Sequence, residues 1–162
     1  MAYSNFRLNI AIRIILIFSI LVLKAFWIVS EYCFREIQSK NINLLIKYDG
    51  KPETFRGDPD LLEQVLINLI RNAAEAVESM ENPRITLVVE EIPGYQVKIK
   101  VEDNGPGMNK ETLDKIFVPF FSTKSEGTRI GLSLSRQIIM MHKGSIEVTS
   151  KLGKGSVFEV LM

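Results

Sequence analysis

One helix with a single apolar face is the feature that most restricts how this chain folds. Asp58 and Pro59 mark its start, because an aspartate side chain caps the free N–H groups of a first turn and proline fits the first helical position. Apolar residues then recur every three or four positions, which predicts a helix to about Met80, ended by Asn82 and Pro83. The apolar positions are Leu62, Val65, Leu66, Leu69, Ile70, Ala73 and Val77.

Alternating segments on either side of this helix predict strands. The strand candidates are residues 42–48, 54–56, 84–91, 96–102, 145–150 and 156–161. Turn residues Pro93 and Gly94 join one pair as a hairpin, and residues 153–155 join the last pair. Two further helices are predicted, a short one near residues 110–116 and a longer one that begins after Gly131.

Three polar residues form a stripe at the edge of the apolar face. Asn68 and Asn72 lie four residues apart and Glu75 three further on, so their side chains stack along the helix. These amides either bond to neighbouring loop backbone or present an oxygen to Mg2+, which prefers a few protein oxygens. The pair alone does not decide between the two.

A carboxylate ends the strand at residues 96–102. Ile99, Val101 and Asp103 point to one face, so the strand delivers Asp103 to a pocket, and residues 104–107 then form a glycine turn. Such a string is also ordinary turn chemistry. The next two segments of the chain make it more specific. Residues 117–124 contain three phenylalanines close to a proline. Residues 127–133 form a glycine-containing loop that leads into a helix, and the backbone amides at a helix start favour phosphate.

The N-terminal part is different in kind, because residues 8–29 are mostly apolar and long enough to cross a bilayer, with Arg13 and Lys24 near the ends. A transmembrane helix is expected there, and a buried core helix is the alternative. With a formal charge of +1, the chain lacks the excess of basic residues that is typical of nucleic-acid-binding proteins. The single cysteine, Cys33, excludes an internal disulfide.

Taken in order, residues 68–73, 103–107, 119–124, 127–133 and 153–158 resemble the catalytic and ATP-binding domain of sensor histidine kinases, within the gyrase, Hsp90, histidine kinase and MutL ATPase superfamily. The resemblance covers residues 42–162. It implies an α/β fold of the Bergerat type, a two-layer α/β sandwich whose mixed sheet carries helices on one face. Here an N-terminal hydrophobic helix at residues 1–30 and a connector at residues 31–41 would precede it.

The resemblance also implies a set of site residues for ATP and Mg2+. Asn72 would ligate Mg2+, Asn68 would help to order metal and phosphate, and Asp103 would accept the adenine amino group. Lys124 would either reach phosphate or stay solvated, and Glu75 is a candidate general base. The remaining ATP-binding positions that match are Gly105, Gly107, Phe117, Phe120, Gly127, Thr128, Arg129, Gly131, Leu132, Ser133 and Ser156.

Two departures from the family pattern bear on activity. Arg129 stands where the family has glycine, and it either pairs with phosphate or restricts the lid at a cost of about 1 kcal/mol or more if its φ is positive. The only histidine, His142, is followed by Lys143 rather than by an acidic residue. We therefore expect His142 to have a structural role, its positive form meeting the carbonyl ends of a helix, and not to accept phosphate.

The residues and the resemblance leave three hypotheses. In the first, the chain binds ATP and Mg2+ and donates the γ-phosphate to a histidine on a dimerisation domain in trans, with a response regulator as the indirect partner. In the second, it is a non-catalytic ATP-binding pseudokinase or truncated regulator. In the third, it is a membrane-anchored remnant without a ligand. The resemblance further implies a bacterial inner membrane location, with the ATP-binding domain in the cytoplasm.

Overall fold

The computed structural model describes residues 34–49, 58–92, 96–121 and 130–162. Nine elements lie in these ranges. They are α1 (Phe34–Ser39), β1 (Asn43–Asp49), α2 (Pro59–Ala76), β2 (Arg84–Ile92), β3 (Gln96–Asp103), α3 (Lys110–Leu113), α4 (Gly131–Met141), β4 (Ser145–Lys151) and β5 (Gly155–Leu161). The predicted transmembrane segment, the strand at residues 54–56 and the turn at Pro93 and Gly94 lie outside the described residues.

The five strands form one mixed sheet in the order β1-β2-β3-β5-β4. β1 runs parallel to β2, while the other three neighbouring pairs are antiparallel. One face of the sheet is apolar and buried, because the inward positions of neighbouring strands fall in register, as Leu87, Val101 and Phe158 do. The predicted mixed sheet with covering helices is confirmed.

Helices α2 and α4 cover this apolar face and pack against each other. Every apolar position predicted for α2 is buried, and Ile138 and Ile139 provide the inward side of α4. The opposite face of the sheet carries ion pairs, in which Lys98 and Lys100 meet Glu159 and Lys100 also meets Glu90. Within the described ranges, no helix combines the length and the apolar character needed to cross a membrane.

Two predicted helices were too long. α2 ends at Ala76: the N–H of Val77 still bonds to the carbonyl of Ala73, but Glu78 and Met80 then donate to carbonyls only three residues back. α3 ends at Leu113, where the N–H of Asp114 still bonds to Lys110 but the chain then continues in turns. In each case the apolar spacing continues beyond the helix, so the pattern overstates its length.

Candidate nucleotide-binding site

Asp103 lies at the end of β3, between its register partners Ile85 on β2 and Ser156 on β5. Its side chain is only 4% exposed. The carboxylate accepts hydrogen bonds from the backbone N–H of Gly105, at 2.8 Å, and from both the backbone and the hydroxyl of Ser156. Burial raises the pKa of the Asp103 carboxyl above its ordinary value, and these hydrogen bonds oppose the increase.

The turn after Asp103 has no space for larger residues. A Cβ on Gly105 would lie 2.8 Å from the carbonyl oxygen of Ala76, so the turn packs directly on the last residue of α2. Gly107 has a φ of 68°, and its Cβ would lie 2.1 Å from the carbonyl oxygen of Lys151. Glycine is needed at both positions because the turn approaches backbone on two sides.

Asn68 and Asn72 are half-buried on α2, and their amides have different surroundings. The Asn68 side chain donates to the hydroxyl of Ser135 on α4 at 2.9 Å. The Nδ2 atom of Asn72 is buried without a hydrogen-bond partner among the described residues. Because a buried amide without a partner is costly, Asn72 is the member of the pair that is suited to meet a ligand. Glu75 lies one turn further along and is also half-buried.

The start of α4 contacts Asn68. A Cβ on Gly131 would lie 2.2 Å from Oδ1 of Asn68, so a larger residue there would displace the Asn68 amide. No side chain of the described residues caps the first turn of α4, and the Ser133 hydroxyl instead donates to the carbonyl oxygen of Ile130 at 3.0 Å. With respect to these residues, the first N–H groups of α4 are available to an anion.

The aromatic segment divides into two environments. Phe117 is half-buried, and the guanidinium carbon of Arg136 lies 5.2 Å from its ring centre, which connects this segment to α4. Phe120 is 74% exposed and has a φ of 65°, an uncommon conformation for a residue other than glycine. Leu132 packs against the core, and Ser133 is buried. Lys124, Gly127, Thr128 and Arg129 lie outside the described residues.

These residues define an elongated site along α2. Asn68 meets the start of α4 and Ala76 meets the glycine turn, eight residues later, which is roughly 12 Å along a helix axis. A buried acid therefore marks one end, uncapped amides mark the other, and Asn72 lies between them. This arrangement is suited to a ligand with a hydrogen-bonding base and an anionic tail.

Three site residues were not predicted from sequence. Asn104 accepts from the N–H of Arg84 and donates to the carbonyl of Asn82, which holds the turn against the start of β2. Ser135 bonds to Asn68, and Ser150 bonds to the backbone of Met108. For Ser150 a signal existed, because a tight hairpin around residues 153–155 places it opposite Ser156.

His142 has a structural position, although in a different form from the one expected. Its Nε2 accepts from the backbone N–H of Asp58 at 3.0 Å, and its Nδ1 lies 2.8 Å from the carbonyl oxygen of Ile138. A nitrogen that accepts a hydrogen bond carries no proton, so this geometry requires the neutral Nδ1–H tautomer. This tautomer differs from the positive form that we expected at this helix end.

Comparison with known proteins gives three findings. Residues 57–162 match the sequence profile described as Histidine kinase-, DNA gyrase B-, and HSP90-like ATPase. Sensor histidine kinase ZraS of Escherichia coli (strain K12) is 40% identical over 124 residues, 76% of this chain but only 26% of ZraS. The nucleotide-free catalytic domain of histidine kinase ThkA superposes with a TM-score of 0.77 at 32% identity, covering 88% of this chain and 91% of that domain.

ThkA is also similar in a larger assembly. Its complex with the response regulator protein TrrA matches with a TM-score of 0.71 at 30% identity, covering 90% of this chain and 40% of that kinase chain. The chain thus corresponds in fold to the catalytic domain of these kinases and spans about a quarter of the length of ZraS.

Proposed function

The chain belongs to the family of histidine kinase-, DNA gyrase B- and HSP90-like ATPases, and on this premise we propose that it is the ATP-binding catalytic module of a two-component sensor histidine kinase. The observation that supports this most is Asp103, an acid buried at the end of a central strand and held by Gly105 and Ser156. Such a fixed acceptor suits the amino group of adenine.

In this proposal, different residues bind the adenine base and the phosphates. Asp103 accepts a hydrogen bond from the adenine amino group, and the close packing of Gly105 and Gly107 on neighbouring backbone leaves room for the base. The N–H groups at the start of α4, which no described side chain caps, donate to phosphate oxygens. Asn68, bonded to Ser135, holds α4 in position for this contact.

Asn72 is the residue that fits a metal ion. Its partly buried amide lacks a partner at Nδ2 among the described residues, and a flip of the amide would place its oxygen at that position, towards a cation. Mg2+ bound there would neutralise phosphate charge and orient the γ-phosphate. Among the described residues no group of three or more acidic, histidine or cysteine side chains forms a metal site.

The phosphate acceptor in this proposal is a histidine of a dimerisation domain in trans. His142 is unsuited to the role, because both of its ring nitrogens already have hydrogen-bond partners. The module positions ATP and supplies electrostatic stabilisation, and Glu75 is the candidate general base. A response regulator would then receive the phosphoryl group from the acceptor histidine.

The binding part is tested by calorimetric titration with ATP in the presence and absence of Mg2+. We expect Asp103→Asn to weaken ATP affinity at least tenfold, because the amide offers its NH2 group to the adenine amino group, with Asp114→Asn on the exposed surface as the control. Asn72→Ala should remove the dependence on Mg2+. Unchanged affinity in both variants would rule out this site.

The transfer part needs a second measurement. The chain is mixed with a separate histidine-containing dimerisation domain and labelled Mg-ATP, and label on that domain supports the kinase. Arg129, at the position where a glycine is expected, favours a second candidate, a non-catalytic ATP-binding regulator. Normal ATP binding without transfer, reversed by Arg129→Gly, would support a lid that is blocked by the arginine.

We also propose that residues 8–29, which are apolar enough for a membrane anchor, attach the chain to the inner membrane of a bacterium. The use of ATP supports a cytoplasmic position for the catalytic module. Fractionation of cells that express the full chain and a chain without residues 1–33 tests this. Only the full chain should sediment with membranes.

A further inference from the structure

Ser150 connects three parts of the site and has no assigned role. It lies on β4, directly opposite Ser156 in the sheet. Its hydroxyl oxygen accepts from the N–H of Met108 at 2.8 Å and donates to the carbonyl oxygen of Gly155 at 2.9 Å. It also lies 3.1 Å from the hydroxyl oxygen of Ser156.

The hydrogens of these two serines can be counted. A hydroxyl has one proton and two lone pairs, and the proton of Ser150 is used by Gly155 while one lone pair is used by Met108. When Asp103 is ionised, its carboxylate draws the Ser156 proton, and the Ser150 proton can then turn from Gly155 to the Ser156 oxygen, since either hydroxyl can be the donor of this contact. When Asp103 is protonated, the Ser156 proton can turn to Ser150. The Ser156 oxygen therefore keeps one position in both states.

Ser150 also bonds to the backbone on both sides of Asp103, at Met108 and at Gly155. Met108 directly follows the glycine turn, and Gly155 lies so close to Asp103 that a Cβ there would be 1.9 Å from its carbonyl oxygen. The hairpin that contains Ser150 is held to the turn a second time, since the N–H of Gly153 donates to the carbonyl of Pro106 at 2.8 Å. A small movement of Ser150 would thus shift both the glycine turn at residues 104–107 and the Asp103 carboxylate.

We propose that Ser150 is a positioning residue for adenine recognition, which holds the Ser156 hydroxyl on Asp103 and the turn up to Met108 beside the base. This inference rests on the proposed ATP site. Its effect is on specificity, because a carboxylate held in one place accepts from a 6-amino group and repels a 6-carbonyl group. Ser150 therefore increases the preference of the site for adenine nucleotides over hypoxanthine nucleotides.

The test compares ATP with inosine triphosphate, which has a carbonyl at this position, by calorimetric titration of the full chain. We expect Ser150→Ala to weaken ATP binding about tenfold and to change inosine triphosphate binding about threefold or less. Ser150→Thr, which keeps the hydroxyl, should restore the preference for ATP. Thr149→Ala, on the exposed side of the same strand, is the control and should change neither.

Equal weakening for both nucleotides, or no weakening at all, would overturn the role of Ser150. Failure of the unaltered chain to bind ATP would instead overturn the proposed function. If Ser150→Ala does not fold, Ser150→Cys keeps the side-chain volume with weaker hydrogen bonds and takes its place. In an Asp103→Asn background the additional effect of Ser150→Ala on ATP binding should disappear, because the residue acts through Asp103; a full effect there would contradict the proposal.

A titration of the Asp103 carboxyl carbon by NMR gives a readout that a purely structural role would not move. Removal of the Ser150 hydroxyl should raise the pKa of Asp103 further, because Ser156 no longer donates to the carboxylate from a fixed position. An unchanged titration in a folded Ser150→Ala variant would count against the proposal.

Discussion

At the scale of single residues, the site combines a buried carboxyl group, that of Asp103, with glycines that pack closely on neighbouring backbone. Asp103 is buried at the end of β3, and burial raises the pKa of its carboxyl. If Asp103 binds adenine as proposed, binding and stability make opposite demands at this position.

The raised pKa of Asp103 predicts a pH dependence. Because the folded pKa of Asp103 lies above its ordinary value of 3.8, the folded chain keeps this proton where the unfolded chain has lost it. The stability that Asp103 contributes is present below that value and is lost as pH rises through the folded pKa. We expect the free energy of unfolding of the native chain, minus that of Asp103→Asn, to fall across this window in urea titrations. A constant difference would contradict the burial of a titrating Asp103.

Two glycines of the last hairpin provide a matched pair. Gly153 and Gly155 both have positive φ, at 71° and 89°, but only Gly155 faces backbone, the carbonyl of Asp103. Gly153→Ala should lower the free energy of unfolding by about 1 kcal/mol from backbone conformation alone. Gly155→Ala should lower it by about 3 kcal/mol or more, because the added methyl displaces β5 from Asp103. If urea unfolding gives equal losses in the free energy of unfolding for the two variants, the close approach of Gly155 to the Asp103 carbonyl does not contribute to stability.

At the scale of elements, helices α2 and α4 are joined by two side-chain hydrogen bonds. Asn68 bonds to Ser135 near the start of α4, and His142 at its end accepts from Asp58, which also caps α2. The two helices carry the asparagines and the uncapped amides, so their relative position sets the length of the site.

The His142 contact can be separated into its two halves. His142→Gln keeps an acceptor at the reach of Nε2 and so keeps the bond to Asp58, whereas His142→Asn keeps only a donor near Ile138. We expect His142→Asn to lower the free energy of unfolding by about 1 kcal/mol and His142→Gln to restore most of it. The measurement is chemical denaturation, and the reverse order would show that the bond within α4 is the important one.

Sequence alone predicts the elements better than their connections. The face of α2 and the inward direction of Asp103 follow from periodicity, which depends on local spacing. The contacts of Ser135, Asn104 and Ser150 depend on which strands become neighbours, and β5 lies between β3 and β4, an order that spacing does not contain. Helix ends were missed because apolar spacing continues into turns that tertiary packing also buries, as it does at Val77.

At the scale of the whole molecule, the folded unit extends beyond the family match. Helix α1 precedes the first strand, and its Ile37 is 7% exposed within the same core as α2. Lys40 adds an ion pair with Glu78 at 3.2 Å, which contributes little because it is partly exposed. The segment predicted as a connector therefore supplies part of the core.

A comparison of two fragments tests this contribution. A fragment of residues 42–162 should be less stable than one of residues 34–162 by about 2 kcal/mol, because it exposes the surface that Ile37 covers. Ile37→Ala in the longer fragment should account for most of the loss. Equal melting behaviour of the two fragments would place α1 outside the cooperative unit.

The strand order also determines when the site can first exist. β5 supplies Ser156 to Asp103 and is inserted between β3 and β4, although it is the last of the nine described elements along the chain. During synthesis, β1, β2, β3 and the helices are complete while the partner of Asp103 has not yet been translated. A ribosome that stops before β5 therefore releases a chain with an incomplete acid pocket, so translation must pass Ser156 before the complete pocket can form.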